Sequence, residues 1–221
     1  MKHPLLTLAL LCPLLLYATD DIATLTEECD IRAASPDDPD RPANVPARYY
    51  TRDGDDTYYA HIIHACTQAY EASQNVRYLY QRGLIREKQI TNEDMRHHAA
   101  GSPTRSPKES LRFYGLEQST RNDLRLAAEA GYPAARLDLI LIDISKPETE
   151  QALQALMDTS PRLAHLGLGR WHRMQFLLDD RQADQHRTQA EHHLREAIAA
   201  GDHNGAWLTL AGLYTLSGQN D

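Results

Sequence analysis

From about residue 57 onwards, apolar residues recur three or four positions apart, which is the spacing of amphipathic helices. Ile62, Cys66 and Ala69 share the first such face, and a second face surrounds Leu79. Similar faces follow along the rest of the chain, separated by short segments that contain glycine or proline. The pattern predicts an all-α protein built from antiparallel helical hairpins.

A local pattern, L-R-x-A-x-x-A-G, occurs twice, at residues 124–131 and 194–201. In both copies small residues line one helix face, and the glycine stands where a helix end commonly turns left-handed. Pro133 follows the first copy at a position that suits the start of the next helix. Such internal repetition predicts a short solenoid in which each hairpin packs against its neighbours.

Two later segments are also predicted to be helical. Residues 137–144 have the sequence L-D-L-I-L-I-D-I, and this partial alternation leaves a strand as an alternative. We expect a helix there, because the hairpin motif precedes it and no partner strand is evident. In the last helix, Trp207, Leu210, Ala211 and Tyr214 have the spacing of one packing face.

The N-terminus resembles a targeting segment. An apolar run from Leu5 to Tyr17 follows Lys2, and it is shorter than the roughly 20 residues that a transmembrane helix needs. A secretory signal peptide over residues 1–18, cleaved after Ala18, is therefore predicted. The mature protein is then expected in the periplasm, with no membrane insertion after cleavage.

The charge of the chain narrows the classes of partner. The formal charge is −8 at pH 7, and loss of the signal peptide makes it −9 because Lys2 is removed without an acid. An acidic surface repels nucleic-acid phosphates and anionic lipids. We therefore expect another protein as the partner and no nucleic acid.

Two cysteines, Cys29 and Cys66, remain after the predicted cleavage. In an exported protein an even number of cysteines indicates a disulfide, here between these two residues. Two free thiols are one alternative. A zinc site that combines Cys66 with His61 and His64 is another, although no further motif supplies the remaining ligands.

Residues 19–56 are predicted to form an irregular strap before a helical-repeat domain at residues 57–221. Four prolines and a series of aspartates fall in this segment and disfavour regular structure. The aspartates lack the spacing of an EF-hand calcium loop. We expect a loop exposed to solvent.

Two longer stretches carry a resemblance to a known family. R-L-A-A-E-A-G-Y-P-A-A-R-L at residues 125–137 and H-L-R-E-A-I-A-A-G-D-H-N-G-A-W-L at residues 193–208 resemble the helix junction of Sel1-like repeats. The opening E-C-D-I-R-A-A-S-P-D-D-P-D-R-P-A and the later H-A-C-T-Q-A-Y are similar to exported bacterial members. These repeats are related to tetratricopeptide repeats. The resemblance implies a protein-binding array, and some exported members are thought to neutralise secreted toxic phospholipases.

An enzyme is the less favoured hypothesis. The chain has no G-x-S-x-G, H-E-x-x-H or glycine-rich phosphate loop, and no catalytic residue, cofactor or metal ligand is predicted. Histidines are frequent, and an acid–base or metal set remains an alternative for some of them. The candidates are His61 and His64, His97 and His98, and His186 with His192 and His193.

Tyrosines cluster near the strap and provide the candidate partner contacts, because their rings combine contact area with a polar tip. These residues are Tyr49, Tyr50, Tyr58 and Tyr59. The leading hypothesis is a periplasmic helical-repeat protein that binds another protein, with an immunity protein against a secreted phospholipase as its most specific form. A non-inhibitory scaffold for cell-envelope assembly is the alternative, and an unrecognised hydrolase is the third.

Overall fold

The computed structural model describes residues 12–47, 54–101, 104–202 and 204–218, and within these ranges it contains helices and loops but no strands. The all-α prediction is confirmed for this part of the chain. The helices are α1 (Cys12–Arg32), α2 (Asp56–Ser73), α3 (Val76–Ala99), α4 (Pro107–Glu129), α5 (Pro133–Ile142), α6 (Thr149–Ala155), α7 (Pro161–Leu178), α8 (Ala183–Ala199) and α9 (Gly205–Leu216).

Local sequence explains several of these boundaries. Ser106 caps α4, accepting a hydrogen bond from the Glu109 backbone while the Glu109 side chain accepts one from the Ser106 backbone. Proline opens α4, α5 and α7, where its missing N–H costs no helical hydrogen bond. Residues 137–142 of the segment with partial strand character belong to helix α5, as expected, and residues 143–144 lie in the turn after it.

Helices that are adjacent in the chain pack as neighbours, including α1 with α2, α3 with α4, and α7 with α8. A large apolar core extends from α3 to α9, and a smaller one joins α1, α2 and α3. Cys29 and Cys66 lie in the smaller core at disulfide distance, with their Cα atoms 5.0 Å apart. The predicted pairing of these cysteines is confirmed, and it joins α1 to α2.

The repeated sequence motif produces two closely similar helix ends. Gly131 and Gly201 have φ values of 91° and 95°, which favour glycine at both positions. After each turn a backbone amide bonds back to the helix, from Tyr132 to Ala127 and from Asp202 to Ala197, at 2.9 Å in both cases. The two motifs therefore end their helices in the same way.

The equivalence continues into the preceding helices. A Cβ atom on Gly83 of α3 would lie 3.0 Å from the side chain of Leu124, and one on Gly169 of α7 would lie 2.6 Å from that of Leu194. These leucines begin the two copies of the motif and are fully buried. We name α3–α5 the first unit and α7–α9 the second unit, because the same close helix contact occurs in both.

Two expectations are wrong, one about the buried face of α9 and one about the end of α1. In α9 the buried face consists of Ala206, Leu210 and Leu213, whereas Trp207 is 54% exposed. The helix is rotated from the predicted orientation, because its mostly apolar sequence does not mark one face clearly. Helix α1 also continues to Arg32, so the irregular segment within the predicted strap begins only at residue 33.

Residues 1–11 of the predicted signal peptide lie outside the described residues, as do Tyr49 and Tyr50. The cleavage site and the periplasmic location stay predictions. No helix in the described ranges combines the length and the apolar character needed to span a membrane.

Candidate functional site

We use the name strap for residues 33–47, which follow α1 and have no regular structure. This segment crosses the first unit instead of extending into solvent. Arg77 of α3 donates from Nε to Asp38 at 2.8 Å, and the Tyr132 hydroxyl at the start of α5 donates to the same carboxylate. The Tyr80 hydroxyl lies 3.2 Å from the Ser35 hydroxyl. The strap therefore ties α3 to α5.

The expectation of an exposed aspartate-rich loop is wrong for its central residues. Asp37 and Asp38 are each only 5% exposed. A buried carboxylate is tolerated when charged or hydrogen-bonding groups compensate its desolvation, and Arg77 and Tyr132 do so for Asp38. Arg77 and Tyr132 are distant from Asp38 in the sequence. The composition around Asp38 is therefore like that of a loop exposed to solvent.

An open pocket of about 280 Å³ lies between the strap, α3, α5 and α7. We call it the carboxylate pocket, because three carboxyl groups and one guanidinium line it. Its lining consists of Ser35, Pro36, Asp37, Leu84, Glu87, Asp138, Leu141, Ile142 and Arg170. It thus combines apolar side chains with an excess of acidic groups, a composition that suits a cation with an aliphatic stem.

Asp138 has the most strongly perturbed acid–base equilibrium in this pocket. Its pKa is raised to about 8, mainly by burial and then by the negative charges of Asp37 and Glu87, against the opposing effects of Arg170 and Tyr80. Surrounding protein atoms also raise the pKa of Glu87, although its side chain is exposed at the pocket. Asp138 is therefore mostly protonated at neutral pH.

Asp37 connects the strap to the second unit. Its Oδ2 accepts from Arg170 of α7 at 2.9 Å, and its side chain is 8% exposed. Its Oδ1 is buried and has no hydrogen-bond donor among the described residues. This oxygen is packed against the start of α9, where a Cβ atom on Gly205 would lie 2.8 Å from it. A buried carboxylate oxygen without a donor is unfavourable for folding.

The two predicted contact tyrosines that the structure describes, Tyr58 and Tyr59, differ in exposure. Tyr59 is fully buried in the small core, where its hydroxyl accepts from Asn92, so its predicted role in partner contact is wrong. Tyr58 is partly exposed and packs edge-on against Tyr59, with ring centroids 5.6 Å apart. Burial of Tyr59 follows from its position three residues before Ile62 on the core face of α2.

Four histidines form a second cluster, between α7 and α8, which we call the histidine ladder: His165, His172, His186 and His193. The Nδ1 atoms of His165 and His193 are 3.0 Å apart, as are those of His172 and His186. The rings of His172 and His193 stack with centroids 5.6 Å apart. In each Nδ1 pair, one neutral ring donates and the other accepts.

Three histidines of the ladder, His165, His172 and His193, have lowered pKa values. The pKa values of both His172 and His193 are lowered to about 4, mainly by burial and then by neighbouring histidines. Burial also lowers the pKa of His165. Protonation would convert an acceptor Nδ1 into a second donor in each pair, so the neutral rings are favoured near neutral pH.

Only part of this ladder could be recognised from the sequence. His186 and His193 were among the candidates, whereas His165 and His172 were not. His165 and His172 are seven residues apart in α7, and His186 and His193 are seven residues apart in α8, so the two histidines of each helix share one face. His61 and His64 lie on the exposed face of α2. Cys66 is buried and pairs with Cys29, so it does not form a site with these histidines. Among the described residues no group of three or more His, Cys, Asp or Glu residues is arranged to hold a metal ion.

Comparison with known proteins adds no identification. No protein-family model, no curated protein and no solved structure matches the chain.

Proposed function

We propose that this chain is a periplasmic helical-repeat protein that binds another protein, and that its most specific role is to neutralise a secreted phospholipase. The observation that carries the proposal is the equivalence of the two units. Gly83 packs on Leu124 as Gly169 packs on Leu194, and Gly131 and Gly201 end their helices alike. Repeated helical units stacked on one another present extended surfaces, which such proteins use to bind partners.

The resemblance of residues 125–137 and 193–208 to Sel1-like repeats supports the same proposal, because that family binds proteins. The net negative charge favours a basic partner surface. The Cys29–Cys66 pair is consistent with an oxidising compartment such as the periplasm. We further propose that the units form a short solenoid, with α1 covering one end.

A hydrolase is the second candidate, and one observation favours it. Asp138 has a raised pKa in an open pocket beside a second carboxyl group, Glu87, and such pairs occur in acid–base catalysis. The same arrangement also suits the binding of a cation. Activity of the purified protein alone on phospholipid or peptidoglycan, lost in Asp138→Asn, would favour catalysis over binding.

The test of the main proposal is affinity purification of the tagged mature protein from the periplasm, with the bound proteins identified by mass spectrometry. We expect one exported enzyme in a fixed ratio, whose phospholipase activity falls when the purified protein is added. Recovery of several envelope proteins without inhibition of any enzyme would instead support the scaffold alternative. Absence of any bound protein at micromolar concentrations would contradict protein binding.

A further inference from the structure

We infer that the carboxylate pocket binds one arginine side chain of a partner protein. This inference rests on the proposed function and deepens it, because it names the chemical group recognised and the place where it binds. The pocket lies where the strap, α3, α5 and α7 meet, so a bound side chain would contact the first unit and the second unit together.

The size and lining of the pocket suit a single long side chain. Its volume of about 280 Å³ lies just below the range for drug-sized ligands, roughly 300–1,000 Å³. Leu84 of α3 and Leu141 and Ile142 of α5 provide apolar contacts for an aliphatic stem. The same two helices also supply acidic groups, Glu87 on α3 and Asp138 on α5, and the strap adds Asp37.

The charges of the pocket select a cation. Three carboxyl groups face one guanidinium, Arg170, which is already engaged with Asp37. A phosphate or carboxylate ligand would meet net negative charge, whereas an additional cation would reduce the repulsion among the acids. Because Asp37 Oδ2 already accepts from Arg170, Glu87 and Asp138 are the carboxyl groups left for an incoming cation.

Arginine matches this arrangement better than lysine. A guanidinium presents five N–H donors in a fixed plane and can bond to carboxylates that approach from different directions, whereas an ammonium is a compact charge. The acceptors available are the carboxyl groups of Glu87 on α3 and Asp138 on α5. The Ser35 hydroxyl adds a polar group at the same pocket.

Binding of the cation should displace a proton. Asp138 is held mostly protonated by burial, by Asp37 of the strap and by Glu87 of α3, against Arg170 of α7 and the Tyr80 hydroxyl of α3. An incoming guanidinium stabilises the carboxylate form, so its arrival favours loss of that proton to solvent. Affinity is therefore expected to increase as the pH rises from about 6.5 towards 9.

The first experiment titrates the purified protein with N-acetyl-arginine amide, followed by amide chemical shifts in NMR spectra. The matched control ligand is N-acetyl-citrulline amide, which has a similar shape and no charge, and N-acetyl-lysine amide compares the two cations. We expect millimolar binding of the arginine probe, shifts around residues 35–37, 87, 138 and 170, and at least tenfold weaker binding of the citrulline probe.

Two variants and one control locate the site. Glu87→Gln and Asp138→Asn should each weaken the arginine probe at least threefold, and Asp138→Asn should also abolish the increase in affinity with pH. Asp158→Asn, which removes an exposed carboxylate away from the pocket lining, should change neither property. Thermal unfolding of each variant shows whether its fold is retained. If one pocket variant does not fold, the other still tests whether the arginine probe binds at this site.

Equal binding of the arginine and citrulline probes would overturn the inference, as would absent binding or affinity unchanged in both pocket variants. Tighter binding of the lysine probe would overturn the preference for arginine. A failed probe titration alongside a partner recovered from the periplasm would leave the proposed function standing and reject only this site. Recovery of a partner whose binding is weakened by Glu87→Gln would support both.

Discussion

The two units use the same position for opposite chemistry. The residue that precedes the motif leucine is Asp123 in the first unit and His193 in the second. Asp123 accepts from Arg82 and Arg86 of α3, whereas His193 pairs with His165 and stacks on His172 of α7. A charged network therefore joins α3 to α4, and neutral rings join α7 to α8.

The difference follows from one substitution on each helix. Arg86 lies three residues after Gly83, and His172 lies three residues after Gly169, the two glycines that make equivalent contacts. Arginine at this position demands a carboxylate opposite, and histidine is satisfied by another histidine. Equivalent backbones thus accept either an ion pair or a neutral pair, provided that both members change together.

The largest expected effect concerns Asp123. Its side chain is 2% exposed, so Asp123→Ala leaves Arg82 and Arg86 close together, largely buried and without their carboxylate. We expect a loss of about 3–5 kcal/mol in the free energy of unfolding, the usual cost of breaking a buried ion pair from one side. Urea unfolding with the disulfide intact measures it.

The matched variant is His193→Ala in the second unit. It removes a half-buried ring but leaves no uncompensated charge, so the expected loss is only about 1–2 kcal/mol. Equal losses in the two variants would contradict the distinction between a charged and a neutral junction.

The second prediction concerns acid. Because the folded-state pKa values of His172 and His193 are about 4, below their unfolded values, the unfolded chain binds more protons between about pH 6.5 and 4. The stability that the neutral rings provide is complete above about pH 6.5 and is lost as the pH falls. We expect a loss of about 3 kcal/mol, which is below the full linkage value because water still screens the rings.

His172→Leu distinguishes this origin from general acid denaturation. The leucine cannot be protonated, so the decrease in stability between pH 6.5 and 4 should be roughly halved, as followed by urea unfolding at a series of pH values. A decrease identical to that of the parent protein would show that the ladder does not control acid stability. His61→Leu, at an exposed histidine, is the control.

The shared features of the units were accessible from sequence, and their differences were not. Gly131 and Gly201 could be recognised from the motif, because a left-handed helix end depends on nearby residues. Asp123 bonds to Arg82, which lies 41 residues earlier in the chain. Residue spacing carries no information about contacts over such a separation. The carboxylate pocket was missed for the same reason, since Asp37 meets Arg170 133 residues later.

The third prediction tests the close helix contact in both units. Gly83→Ala places a Cβ 3.0 Å from the flexible end of Leu124, and a small shift together with alanine's higher helix propensity should leave stability nearly unchanged. Gly169→Ala places it 2.6 Å from two atoms of Leu194. Overpacking there should cost about 1–2 kcal/mol in urea unfolding. A larger loss for Gly83→Ala would reverse the expected order.

The smallest expected effect is a change in the stability of the first unit at alkaline pH. The folded-state pKa of Asp138, in α5 of the first unit, is about 8 and thus above its unfolded value, so its contribution is complete below about pH 4 and is lost as the pH rises to 8. Asp138→Asn removes this loss, because the amide cannot ionise. The variant should be about 1 kcal/mol more stable than the parent at pH 8.

The comparison of Asp138→Asn with the parent at pH 4 provides the control, since both side chains are then neutral and the difference should nearly vanish. Urea unfolding at both pH values gives the result. Acid stability would then depend on the histidines of the second unit, and alkaline stability on one carboxyl group of the first. A gain that is the same at pH 4 and pH 8 would show instead that the asparagine packs better, and Asp138 would not be held protonated in the folded protein.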